Sequence, residues 1–223
     1  MQSRDTYFIR LLSGSRIRSL APERIYGLYS ALTHPSIYGA LQKLLGADSL
    51  RQGFVRDYVC ARAGDRVLDI GCGPAHLRGH LPDVEYIGWD PNADYVAKAR
   101  AMYTGRGEFH VGVFGPAQAR SLAPVDIVIV SAVLHHMEDA QAKELFALAR
   151  EILKPHGRVV TLDNVFIPRQ NPIARLIISL DRGRHVRTAE GYEALARGSF
   201  EYVRGVVLER AYPPYTYFFM VAQ

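Results

Sequence analysis

The chain has 223 residues, 48% hydrophobic and 22% charged, with a formal net charge of +5. That length suits one core with an appendage, and the composition excludes a disordered or collagen-like chain. The most apolar stretch, Val125 to Met137, contains Asp126, His135 and His136 and falls short of a bilayer span, so no transmembrane helix is expected.

In chain order, the start (MQSRDTYFIRLLSGSR) lacks the continuous apolar stretch and the cleavage pattern of a secretory signal, and a cytoplasmic protein is expected. Residues 1–62 carry helical spacing. Leu28 and Leu32, then Ile37, Leu41, Leu44 and Leu45, then Phe54, Tyr58 and Val59 recur at three- and four-residue intervals. Two or three helices, broken at Pro35 and capped at Gly46, are expected to form an N-terminal cap.

From Arg66 the pattern changes. Short apolar runs at Arg66 to Ile70, Val84 to Trp89, Glu108 to Val113, Asp126 to Val130 and Gly157 to Leu162 read as strands. Between them Ala75 to Leu81, Ala93 to Tyr103 and Asp139 to Leu153 read as helices. Such alternation implies βαβ units and a parallel, doubly wound α/β sheet covered on both faces. After Asn164 come a basic amphipathic segment, Pro172 to Leu180, and a helix at Thr188 to Ala196. Phe200 to Glu209 and Tyr215 to Val221 are the last two strands. The link at Pro213 and Pro214 is too short for a crossover helix, so these two strands should pair antiparallel. The expected organisation is a cap at 1–62 and a domain at 63–223 with a basic insert at about 165–198.

The chemistry-bearing signals lie at the strand ends. Val67-Leu68-Asp69-Ile70-Gly71-Cys72-Gly73-Pro74-Ala75 is a buried strand that ends in an acid and a Gly-x-Gly turn. Gly71 and Gly73 permit positive φ and close approach of a ligand. The next strand ends in Gly88-Trp89-Asp90-Pro91-Asn92, placing an acid 19 residues after Gly71. There a carboxylate can accept hydrogen bonds from both ribose hydroxyls of a nucleoside. A dinucleotide fingerprint would need glycine at position 76, where His76 stands, and Asp69 would repel a pyrophosphate. A nicotinamide-dependent oxidoreductase is thereby disfavoured, and a nucleoside with a cationic or zwitterionic attachment is favoured.

These motifs resemble the class I S-adenosylmethionine-dependent methyltransferases. VLDIGCGPA is similar to their first motif, GWDPN carries their ribose-binding acid, and DIVIVSAVLHHMED and LKPHGRVVTLDN resemble their fourth and fifth strands with flanking turns. The resemblance covers about residues 64 to 164 and implies a seven-stranded, mostly parallel sheet ending in an antiparallel hairpin. It implies S-adenosylmethionine as cofactor, S-adenosylhomocysteine as product, no metal, and a small-molecule acceptor of secondary or specialised metabolism. Asp69 would position the methionine ammonium; Gly71, Cys72 and Gly73 would line the methionine and ribose; Asp90 and Pro91 would hold the ribose; Ser131 would be a further cofactor-binding residue. Ala75 replaces the third glycine of the first motif, a change that helix packing should tolerate. At Gly112-Val113-Phe114 the family's adenine-contacting acid is missing, leaving Val113 and Phe114 as the adenine wall.

His135 and His136 follow the fourth strand at the mouth of the same crevice. Methyl transfer to a nucleophile with a proton to lose benefits from a base that titrates near neutrality, and either imidazole, or Asp163 at the end of the fifth strand, could serve. In Asp181-Arg182-Gly183-Arg184-His185-Val186-Arg187-Thr188, Arg182 and Arg187 are candidates to hold a substrate carboxylate or phosphate. The alternative is that the charges tie the insert to the body while Thr188 caps the next helix. Tyr38 is a further candidate in the cap. The 23 arginines and 4 lysines are spread along the chain, and neither a DNA-methylation motif nor a basic aromatic RNA module is present, so nucleic acid is not the expected partner. Cys60 and Cys72 are too few for a disulfide framework. A cofactor-binding regulatory subunit, a homodimer through the cap, and a peripheral enzyme whose Pro172 to Arg187 segment rests on anionic lipid complete the alternatives.

Overall fold

The computed structural model describes residues 47–181 and 183–223. Its centre is one seven-stranded sheet in the order β3-β2-β1-β4-β5-β7-β6. The strands are β1 (Arg66–Ile70), β2 (Glu85–Asp90), β3 (Glu108–Val111), β4 (Val125–Ser131), β5 (Leu153–Asn164), β6 (Val203–Ala211) and β7 (Pro214–Ala222). The first five run parallel, and β7 lies antiparallel between β5 and β6. The expected doubly wound sheet with a terminal antiparallel hairpin is therefore observed.

Alternation along the strands splits the core between the two faces. Leu68, Ile70, Val128 and Val130 pack on one side with α4 (Asp139–Ile152) and α6 (Ala189–Ala196). Val67, Tyr86, Ile127 and Ile129 pack on the other with α1 (Ala47–Phe54) and α2 (Ala93–Met102). Because β1 has β2 on one side and β4 on the other, the order of strands reverses there, and the carboxyl ends of β1 and β4 form the switch point at which open α/β sheets bind their ligands.

The expected boundary at residue 62 falls inside this core. Phe54 and Val59 are completely buried, the Tyr58 ring stacks on Phe219 at 4.4 Å, and Arg158 donates to the Val59 and Cys60 carbonyls. Residues 47–62 thus belong to the sheet's own packing; the rest of the expected cap, 1–46, lies outside the described residues. Two local expectations also change. The helix expected at Ala75 to Leu81 is a tight 3-10 turn, His76–His80, held by buried Arg78 donating to the Arg106, Leu81 and Pro82 carbonyls. A six-residue helix, α3 (Pro116–Ser121), occupies a stretch too short to show periodicity. It begins with proline at its first position, and the Gln118 side chain accepts from the Gly115 N–H.

Candidate active site

Asp69 lies on the α1/α2 face of the sheet and is 1% exposed. Its Oδ2 accepts from the Tyr86 hydroxyl at 2.6 Å, while Oδ1 is buried without a partner. Burial, aided by the charge of Asp90 and opposed by the Tyr86 hydrogen bond, pushes its carboxyl up to about 7. Sequence reasoning did not single out Tyr86. It is paired with Val67, diagonal to Asp69 across the β1/β2 register, a relation that no motif spacing encodes.

Beyond β1 the chain turns sharply. Gly71 (φ +73°) and Gly73 (φ +54°) are left-handed, and the Gly71 and Cys72 amides donate to the Trp89 carbonyl. A Cβ at Gly71 would run into Val133, whereas one at Gly73 would meet open space, so Gly73 is the residue that leaves room for a ligand. Cys72 contributes backbone rather than thiol to this turn. Its sulfur packs where a Cβ on Gly88 would stand, and burial with Asp69 and Asp90 nearby raises the thiol well above its usual range. Ala75 has φ +57° and no exposure. The third glycine of the motif is therefore replaced at a left-handed position, where alanine is disfavoured by about 1 kcal/mol, and not at a helix-packing position as the sequence suggested.

Asp90 ends β2 and is the hub of the crevice. Its Oδ2 accepts from the Gly73 N–H at 2.9 Å and its Oδ1 from the Asn92 N–H at 2.8 Å. Each oxygen keeps a further acceptor site. Pro91 is exposed, and Asn92 caps α2 by accepting from the Asp94 and Tyr95 amides. Gly112 bonds back to the Asp90 carbonyl. Val113 is 74% exposed at the rim, and Phe114 is buried with its ring edge-on to Trp89.

Ser131 ends β4, followed by left-handed Ala132, whose N–H bonds the Leu162 carbonyl. The chain then enters a 3-10 turn, Leu134–His136, that brings His135 over the end of β5. There His135 Nδ1 lies 2.7 Å from Asp163 Oδ1, which also accepts the His135 backbone N–H at 3.2 Å. With Asp163 ionised, this oxygen accepts from both the backbone N–H and Nδ1, the tautomer that leaves the lone pair on Nε2. Both side chains are buried. Burial raises the Asp163 carboxyl, opposed by the hydrogen bond and charge of His135. The two residues read as alternative bases in the sequence are one pair. His136 is exposed, with its ring centroid 4.1 Å from that of His135.

The insert after β5 folds back on this pair. The His185 amide donates to the His135 carbonyl, and a Cβ on Gly183 would collide with the His135 ring, so glycine is required there for the chain to pass. Arg187 departs from its expected role. Its Nε and Nη2 bond Asp139, its Nη1 bonds the Leu134 and His185 carbonyls, and its Nη2 also bonds the Met137 carbonyl. All five N–H donors of a guanidinium are used within the chain. The residue ties the insert to the turn that carries His135 and has no fork left for a substrate anion. Asp181 makes a second tie, accepting from Asn164 Nδ2 and the Gly183 N–H. Thr188 caps α6 by accepting from the Gly191 N–H. Tyr38 and Arg182 lie outside the described residues.

The carboxyl edge of this α/β sheet thus brings together a glycine turn, an acid at the end of β2 and a buried histidine–carboxylate pair. Residues 67–157 match the family described as a methyltransferase domain. An uncharacterized methyltransferase of Geobacillus kaustophilus is 29% identical over 110 residues, 48% of this chain and 51% of that protein. The 27-O-demethylrifamycin SV methyltransferase of Amycolatopsis mediterranei is 35% identical over 115 residues, 48% of this chain and 41% of that protein. The structure of CalO1, a methyltransferase in calicheamicin biosynthesis, in its S-adenosylhomocysteine-bound form, aligns with TM-score 0.61 and 20% identity, over 89% of this chain and 60% of that one. Residues 67–157 thus carry a methyltransferase domain, and the solved structure shares the chain's fold. The chain spans about half the length, or less, of these two curated relatives.

The crevice fits that family's cofactor. The unpartnered Asp69 Oδ1 suits a cationic ammonium, the space at Gly73 admits the methionine and ribose, and the spare acceptor sites on Asp90 suit ribose hydroxyls.

Proposed function

We propose that this protein transfers a methyl group from S-adenosylmethionine to an oxygen of a small-molecule acceptor. The observation that carries the reading is the buried His135–Asp163 pair at the ends of β4 and β5, alongside the nucleoside crevice. The curated relative that methylates a demethylrifamycin oxygen supports an oxygen acceptor.

The bound cofactor supplies an electrophilic methyl on a sulfonium centre. His135 Nε2 would take the proton that the acceptor hydroxyl gives up as its oxygen receives that methyl. Asp163 fixes the tautomer and stabilises the imidazolium that results, which places it as an orienting group and not as a second base. Asp69, Gly73 and Asp90 would hold the cofactor. Arg187 acts through the backbone of the His135 turn.

The direct test is incubation with methyl-labelled S-adenosylmethionine and a panel of phenols, aliphatic alcohols, amines and thiols. Label is expected in hydroxyl acceptors; label confined to amines or thiols, or found in none, would reject the proposal.

Cofactor affinity is expected to depend on pH through Asp69. The carboxyl at about 7 in the free protein is protonated below that value, and an ammonium partner favours the ionised form. Affinity for S-adenosylhomocysteine should therefore fall as pH drops from about 7, by up to about tenfold per unit. Stability of the free protein runs the other way. Between about 4 and 7 the folded state keeps a proton that the unfolded chain releases, so this group's contribution is greatest below 4 and is lost as pH rises through 7. Titration calorimetry across pH 5 to 8 checks the first; a flat wild-type profile, or an unchanged slope in Asp69→Asn, contradicts it.

A further inference from the structure

The helix α5 (Pro172–Ser179) is packed inside out. It buries small Ala174 together with Ile178, yet leaves Ile173 and Leu176 59% exposed, Ile177 41% and the following Leu180 53%. Positions 173, 176, 177 and 180 are spaced i, i+3, i+4 and i+7, so four large aliphatic side chains share one arc about 100° wide. That is the width of the stripe by which a surface helix normally faces its core, and here it faces outward.

Along the insert itself the charge is one-sided. Residues 165–180 contain no acid, and Arg169, Arg175 and Arg184 are exposed around the helix. Asp181 and Arg187, the charges next along, are consumed by internal bonds. The Arg175 guanidinium sits 4.9 Å from the Phe166 ring centroid, a cation resting on an apolar base. Tyr212, 83% exposed, is in the β6–β7 turn. Because β7 runs antiparallel to β5 with Tyr217 opposite Asn164, that turn projects beyond the same carboxyl edge of the sheet as the insert. Aliphatic ridge, arginine rim and tyrosine are the three components of an interfacial membrane contact.

We propose that α5 docks this protein on an anionic bilayer surface, with Ile173, Leu176, Ile177 and Leu180 in the headgroup boundary and Arg169, Arg175 and Arg184 on lipid phosphates. The arginines flanking and within α5 choose an anionic bilayer over an apolar protein groove, whose rim would have to be acidic to match. Docking in this pose turns the carboxyl edge of the sheet, and the His135 crevice with it, toward the membrane.

The test is co-sedimentation of the full chain with phosphatidylcholine vesicles, with and without phosphatidylglycerol, at roughly 50 mM and roughly 500 mM salt. Sedimentation is expected with the anionic vesicles at low salt and should be largely lost at high salt or without phosphatidylglycerol. The double variant L176E/I177E is expected to bind at least about tenfold more weakly, and R169E/R175E to lose the preference for anionic vesicles, each with the melting temperature of the wild type. No sedimentation with anionic vesicles, or equal sedimentation by wild type and L176E/I177E, overturns the proposal. So does a wild-type dimer that L176E/I177E converts to monomer without any vesicle binding, which would make the ridge a contact between two copies. None of these outcomes depends on the methyl acceptor.

Discussion

Replacing Asp90 by alanine is expected to weaken S-adenosylhomocysteine binding by about 10²- to 10⁴-fold while leaving the protein folded. Two losses combine. A carboxylate that accepts two ribose hydroxyls makes charge-assisted hydrogen bonds worth about 1.5–3 kcal/mol each. The same carboxylate also holds the ligand-binding turn, since its Oδ2 accepts from the Gly73 N–H and its Oδ1 from the Asn92 N–H. Truncation removes the ribose partner and frees the glycine turn in one step. Asp90→Asn separates the two effects. Its single carbonyl oxygen keeps one acceptor, so it should bind more tightly than Asp90→Ala and more weakly than wild type. Calorimetric titration with S-adenosylhomocysteine decides the matter, with the thermal melt as control for folding. Affinity of Asp90→Ala within about threefold of wild type would show that the nucleoside does not lie across β1 and β2.

The parts of this site that the sequence disclosed are those built within one βα unit. β1 was placed to the residue, at Arg66–Ile70, because its apolar run ends abruptly in an acid and two glycines. Asp90 was identified because the acid at the end of β2 recurs at a fixed distance from that turn. Both depend on contacts close in sequence. The features that escaped depend on contacts distant in sequence. His135 and Asp163 are 28 residues apart, and only the parallel pairing of β4 with β5, Ser131 against Leu162, brings them together. Arg187 looked like a ligand for an anion because local sequence shows its charge but not its partners, which come from the turn after β4 and the start of α4. Ala75 was read as a packing substitution because the motif records residue identity and not φ. The basic character of the insert was visible in the sequence, whereas the outward placement of its aliphatic side chains was not. Helical spacing fixes which residues share a face, but the direction of that face is set by what α5 packs against.

His135→Ala is expected to lower kcat by about 10²- to 10⁴-fold on whichever hydroxyl acceptor the labelling experiment identifies, with S-adenosylhomocysteine affinity unchanged. The imidazole has its Nδ1 committed to Asp163, so its removal takes away the proton acceptor and leaves Asp69, Gly73 and Asp90 in place. Asp163→Asn should also lower kcat, because the amide can present its NH2 to Nδ1 and force the proton onto Nε2, the nitrogen that must be free to accept. If the two residues act as one unit, the double variant will be little slower than His135→Ala alone. Were Asp163 an independent base, the two losses would multiply instead. His136 is exposed and outside the pair, so His136→Ala is expected to remain within about fivefold of wild type. A large loss in His136→Ala with full activity in His135→Ala would move the base by one residue and detach it from Asp163. The three single variants and the double, assayed for kcat with cofactor affinity measured in parallel, therefore separate a base oriented by a buried carboxylate from catalysis by alignment of the two substrates alone, in which no histidine substitution would exceed that small loss.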